Sequence, residues 1–175
     1  MAKKKKTKKV EQSNPVVYNG NVTVTLKKGS TVISRKTTHN AGTELLFRAL
    51  CMCLCRDSAG LSSMPYFIDA GTISDGTYVT LLNSPSVITR RTTIYDTNGD
   101  PKTWKAQFVT TIVYSQLTSA AIPINSLVLQ DTENQVLARV DLSQEDQIII
   151  ESNSYNAMIE WEMSFVDAST VQEGI

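Results

Sequence analysis

Hydrophobic and polar positions alternate along much of the chain, most clearly near its end. Tyr155, Ala157, Ile159, Trp161, Met163 and Phe165 interleave with Asn156, Glu160, Glu162 and Ser164, and only Met158 breaks the polar series. A period of two held over eleven residues predicts a strand. One of its faces enters the core, and the acidic one meets water or a basic partner. Upstream, Val22 to Leu26 alternates, Lys27-Lys28-Gly29-Ser30 turns, and Thr31 to Ser34 resumes, which reads as a hairpin with a glycine in its loop. Tyr66-Phe67-Ile68 and Thr77 to Leu82 are shorter candidates.

Arg91 to Asp96 and Thr103 to Ser115 flank Thr97-Asn98-Gly99-Asp100-Pro101, where Asn-Gly supplies the positive φ angles of a tight reversal. Trp104, Ala106, Phe108, Ile112 and Tyr114 fall on one face of the second of these strands. Val109 and Val113 make its other face partly apolar, as expected for a strand covered on both sides. Ser126 to Leu129, Val136 to Leu142 and Gln147 to Ile150 complete the strand candidates.

One stretch has a different period. Thr43-Glu44-Leu45-Leu46-Phe47-Arg48-Ala49-Leu50 reads as a helix continuing to about Asp57, with Asn40 as its cap and Gly60 and Pro65 bounding its far end. Its nearly all-round hydrophobicity predicts a helix packed against a sheet. Cys51 and Cys55 share a face of that helix while Cys53 points elsewhere, so the three cannot converge on one ion. Zinc normally needs four ligands, and the one histidine, His39, lies upstream. Buried, inert thiols are expected, with no metal and no cofactor. Free thiols fit synthesis in a reducing cytosol.

Composition agrees with the strand reading. The 175 residues include 20 Thr, 17 Ser, 15 Val and 13 Ile, a bias toward strands. Many short strands with one helix predict a mainly β, antiparallel β-sandwich carrying one buried helix. A chain of this size buries roughly 70% of the surface its unfolded form exposes, enough for one domain. No run approaches the ~18–20 uncharged apolar residues of a bilayer span, so no membrane partner is expected. The basic start runs into Val10-Glu11-Gln12-Ser13-Asn14 rather than an apolar segment, which argues against a secretory signal.

Charge divides the chain. The formal net charge is zero, yet Lys3, Lys4, Lys5, Lys6, Lys8 and Lys9 supply six of the 17 positive charges. Residues 10–175 are left with 11 positive against 17 negative charges, a formal −6. Like charges in a block repel one another and bury nothing, so residues 1–14 are expected to be a flexible arm. Residues 15–168 then form the sandwich and 169–175 a short tail. The six lysines suit an anionic partner, either nucleic-acid phosphate or an acidic protein groove. The acidic body does not suit general DNA binding.

Catalytic motifs are missing. The chain has no G-x-x-x-x-G-K, no G-x-S-x-G and no H-E-x-x-H. Asp96 to Asp100 resembles the opening of a calcium loop, but Pro101 stands where the sharp-turn glycine belongs and Gln107 where the bidentate glutamate belongs. His39 has neither an evident nucleophile nor an orienting acid. Asp141, Glu145 and Asp146, like Glu160 and Glu162, are candidate carboxylate pairs, but solvated acidic surface is the simpler reading. A non-enzyme is expected.

Several segments together carry a resemblance. His39-Asn40-Ala41-Gly42-Thr43 precedes the helix, Tyr66-Phe67-Ile68-Asp69-Ala70-Gly71-Thr72 follows it, and Ile88-Thr89-Arg90-Arg91 supplies an arginine-bearing segment. Val136-Leu137-Ala138-Arg139-Val140-Asp141-Leu142 and Trp161-Glu162-Met163-Ser164-Phe165 close the series. Their order over residues 20–166 resembles a diffuse group of tailed-bacteriophage virion proteins. Two features depart from that group: Ile124-Asn125-Ser126-Leu127 replaces an acidic-Ile-Gly-Leu step, and the basic arm is not general to it.

The resemblance implies a structural component of the virion, made in the bacterial host cytoplasm, with no catalytic residue. An auxiliary or decoration capsid protein is expected, with the major capsid protein or other virion proteins as partners. The arm would contact an acidic groove or packaged nucleic acid, and a homo-oligomer is expected. A neck or tail subunit is the near alternative. An intracellular nucleic-acid-binding accessory protein is a more distant one.

Overall fold

The computed structural model describes residues 18–42, 64–98, 103–119 and 122–166. The lysine arm, the predicted helix with its three cysteines, Gly99-Asp100-Pro101 of the predicted turn and the tail 169–175 lie outside the described residues. What is described is mainly β. Ten strands pair antiparallel throughout, and one 3-10 turn at Tyr114–Gln116 interrupts them.

The predicted first hairpin forms, with longer arms than its core alternation suggested. β1 (Tyr18–Lys28) and β2 (Thr31–Gly42) reverse at Gly29, whose φ of +59° is left-handed backbone that glycine adopts without penalty. β2 pairs with β1 as far as Asn40. Ala41 and Gly42 then pair with β9 (Val136–Asp141), so this one strand joins the two halves of the sheet. Asn40 therefore does not cap a helix; it continues the strand opposite Gly20. A cap needs helical backbone in the residue that follows it, and Ala41 and Gly42 are strand.

The second half contains β3 (Phe67–Ser74), β4 (Thr77–Thr80), the two-residue β5 (Ser86–Val87) and β8 (Ser126–Gln130). β3 turns into β4 through Asp75 and Gly76, both at positive φ, as a two-residue hairpin turn requires. The first half is completed by β6 (Arg90–Asp96), β7 (Thr103–Val113) and β10 (Tyr155–Val166). Strand order along the sheet is β4-β3-β8-β9-β2-β1-β10-β7-β6, with β5 beside β3. Gln147 to Ile150 is not a strand, and Ile148 makes only an isolated bridge to Ile124. Pro123 precedes Ile124 and has no N–H with which to extend a ladder.

β10 shows why the alternation matters. Ala157, Ile159, Trp161 and Met163 are all at most 2% exposed. Strand register sets their neighbours on β1 and β7: Trp161 lies between Val22 and Phe108, Met163 between Gly20 and Ala106, and Ala157 between Leu26 and Ile112. Close packing of this kind is what makes a large-to-small change in a core cost roughly 2–5 kcal/mol. The buried cluster also takes Ile68, Leu127, Leu129 and Leu137 from the other half of the strand path. Every residue of β8 is buried, so both of its faces are covered.

β7 departs from the sequence reading at its ends. Phe108 and Ile112 are buried and Ala106 and Tyr114 pack against the core, but Trp104 is 50% exposed. Its ring stacks instead on Tyr95, its register partner on β6, with centroids 4.5 Å apart. On the opposite face Val109 is buried and Val113 is not.

Candidate functional site

The face of β10 that carries Glu160 and Glu162 forms a charged concavity. A polar cleft of about 150 Å³ opens there. It is lined by the two glutamates, by Asn21 and Thr23 of β1, by Arg35 and Thr37 of β2 and by Gln107 of β7. Strand register brings them together, since Asn21, Glu162 and Gln107 are direct neighbours across three strands, as are Thr37, Thr23 and Glu160. Alternation turns all of them away from Trp161 and the core.

This acidic face was expected to meet water or a basic partner, and the chain supplies the bases itself. Arg35 reaches Glu160 at 3.4 Å from β2, and Arg90 reaches its other oxygen at 4.0 Å from β6. Lys105 lies 3.5 Å from Glu162. Arg90 also donates to Gln107 Oε1 at 3.4 Å, and the Thr23 and Thr37 hydroxyls bond to each other at 2.8 Å. Among the described residues, the buried Asn21 Oδ1 and Thr25 Oγ1 have no hydrogen-bond partner. Three cations around two carboxylates form a cross-strand charge network. Each exposed pair within it contributes about 0–1 kcal/mol.

The other acidic candidates are also engaged in structure. Asp141 accepts from Arg139 Nε and Nη2 at 2.7 and 2.6 Å and from the Ser126 hydroxyl at 2.8 Å. The Arg139 contact holds its carboxyl below the usual range. Asp146 accepts from Ser143 at 2.6 Å and pairs with Lys36 at 3.1 Å, and the Ser143 bond lowers its pKa before the lysine does. Lys36 also donates to the Glu145 carbonyl, which fastens this loop to β2. His39 is an exposed residue of β2, paired in register with Asn21. Among the described residues no three His, Cys, Asp or Glu side chains cluster as a metal would require.

Two constellations were not legible in the sequence. Asp69, only 3% exposed, accepts from the Thr80 hydroxyl at 2.8 Å and from the Ala70 amide at 2.9 Å. Burial raises its pKa, and those hydrogen bonds, together with the nearby Tyr78 hydroxyl, work against the rise. Burial and then the nearby Asp69 charge push the Tyr78 phenol upward, although its hydroxyl lacks hydrogen-bond geometry to any described partner. The Tyr78 ring itself covers Gly71: a Cβ on that glycine would lie 2.6 Å from the ring and 2.4 Å from the Val79 carbonyl.

The second constellation joins two segments of the resemblance. Arg91, at the start of β6, donates to the Pro65 carbonyl at the entrance to β3 and lies over the Tyr66 ring. The fourth and fifth segments lie in β9 and β10, where Leu137, Ala138 and Trp161 are buried. No protein family, curated protein or solved structure matches the chain.

Proposed function

We propose that this chain is a non-enzymatic structural subunit of a tailed-bacteriophage virion, an auxiliary capsid protein whose strands form a two-layer β-sandwich. The observation that carries the reading is how the segments of the resemblance meet in space. Tyr66 and Arg91 are in contact, and Ile68, Leu137 and Trp161 belong to one buried cluster. Support for the sandwich comes from the same cluster, which mixes Ile68, Leu127 and Leu137 from one end of the strand path with Val22, Ile112 and Trp161 from the other. Folding the two halves of such a sheet face to face would bury both sets together.

Carboxylates held by arginine, lysine and hydroxyl partners support a structural role over a hydrolytic one. In this reading Lys3, Lys4, Lys5, Lys6, Lys8 and Lys9 tether the subunit to an acidic capsid groove or to packaged nucleic acid. Quantitative mass spectrometry of purified, nuclease-treated particles tests the proposal, with the major capsid protein as internal standard. A copy number commensurate with the capsid lattice is expected. A small fixed number would move the subunit to the neck or tail, and absence from the particle would overturn the virion reading. Deleting residues 1–9 should leave the fold intact and lower occupancy on the particle; unchanged occupancy would remove the tether.

A further inference from the structure

We propose that β6 is a self-pairing edge, through which two copies of the chain join antiparallel about a two-fold axis at Thr93. The inference does not depend on the virion reading. Among the described residues β6 ends the strand path, bonded to β7 on one side over Arg90 to Asp96 without a register shift. The other end of the path is β4, only four residues long. Short edges are one way in which proteins avoid edge-to-edge association, together with proline, bulges and central lysines. β6 uses none of these. It has seven residues, and Thr92, Thr93 and Ile94 at its centre are uncharged, β-branched and exposed. Ile94 is 39% exposed, and Trp104, next to the edge on β7, is 50% exposed.

The strand is also complementary to itself. Antiparallel pairing centred on Thr93 sets Arg90 of one copy against Asp96 of the other, Arg91 against Tyr95, and Thr92 against Ile94. Thr93 then meets its own counterpart. Faces agree, because residues 90, 92, 94 and 96 alternate with 91, 93 and 95. Three of these pairings are favourable cross-strand types: opposite charges, β-branched with β-branched, and Thr with Thr; Arg91 and Tyr95 keep their partners Tyr66 and Trp104 within each copy. A shift of two residues sets Arg90 against Ile94 or leaves it unpaired. Parallel pairing in register sets Arg90 against Arg90. Charge therefore selects one register, and that register has the two-fold symmetry of an isologous interface.

Sedimentation velocity on the full chain over a concentration series tests the proposal. A dimer is expected. Thr93→Lys places two ammonium groups across the axis and should give a monomer with an unchanged far-UV circular dichroism spectrum. Arg90→Asp and Asp96→Arg should each weaken the dimer about tenfold or more. An equimolar mixture of those two variants should dimerise again, because each interface then pairs only opposite charges. This rescue decides the matter even if Thr93→Lys folds poorly. A monomer at every concentration would overturn the proposal. So would a dimer indifferent to Thr93→Lys, or single charge variants that fail to rescue each other.

Discussion

The Arg91 guanidinium lies 5.4 Å from the centre of the Tyr66 ring and donates to the Pro65 and Ile88 carbonyls at 3.3 and 3.4 Å. The Ile88 amide in turn donates to the Tyr66 carbonyl at 3.0 Å, so the entrance to β3 and the approach to β6 are laced together. A planar fork reaches two carbonyls and a ring at once, whereas an ammonium is a point donor. Arg91→Lys should therefore cost about 1–2 kcal/mol in urea denaturation. Arg90→Lys keeps a flexible cation near Glu160 and should cost less, about 0.5 kcal/mol. Equal losses at the two positions would show that the Pro65 and Tyr66 contacts do not stabilise the fold.

Gly71 has a steric reason to be glycine. The methyl of Gly71→Ala would meet the Val79 carbonyl at 2.4 Å and the Tyr78 ring at 2.6 Å. A ring can swing aside; the carbonyl belongs to the β4 ladder that pairs with β3. The substitution should destabilise by roughly 1–3 kcal/mol. Adding Tyr78→Ala should recover little of that loss, since the backbone clash persists. Full recovery in the double variant would assign the constraint to the ring alone.

What the sequence made legible was local. Alternation along Tyr155 to Phe165 predicted the face of β10 that is buried, and Lys28-Gly29-Ser30 marked the first reversal. Asp75-Gly76, both at positive φ in the turn from β3 to β4, is an equally local signal. Trp104 shares a parity with Phe108 and Ile112 yet is half exposed, because parity gives a face and not the extent of the layer that covers it. Ile148 and Ile150 are buried as an alternating strand would bury them, yet their one bridge stops at Ile124. The charge network was hidden for a different reason. Glu160 meets Arg35 and Arg90 from strands distant in the chain, and only the strand order brings those residues together.

Asp69 should set part of the pH dependence of stability. Burial raises its folded pKa above the ordinary value of 3.8, so the folded state binds protons more tightly than the unfolded one. Stability from this group is present at low pH and declines as pH rises from about 4 through the raised pKa. Asp141 and Asp146, with lowered pKa values, act in the opposite sense: their contribution is present above 3.8 and lost as pH falls. Asp69→Asn retains an oxygen to accept from Thr80 and Ala70 and cannot ionise. The stability of the variant relative to the native chain should rise as pH climbs from about 4 through the raised pKa, the Asp141 and Asp146 effects cancelling in the difference. Parallel curves in urea titrations would show that ionisation of Asp69 carries no folding cost.

The two tryptophans report on opposite ends of the packing. Trp161 is fully buried between Val22 and Phe108, while Trp104 stands half exposed against Tyr95. Iodide should quench one emitting population and spare the other, measured at dilutions where the chain is monomeric. Trp104→Phe should remove the quenchable, red-shifted part and change stability by no more than about 1 kcal/mol, the scale of one aromatic pair. Trp161→Phe should leave only that quenchable part and cost roughly 1–3 kcal/mol, because the atoms it deletes are replaced by a cavity between strands that cannot close together. Equal shielding of both indoles would mean that the end of β7 is covered in the monomer, and the exposed aromatic pair beside β6 would then be part of the core after all.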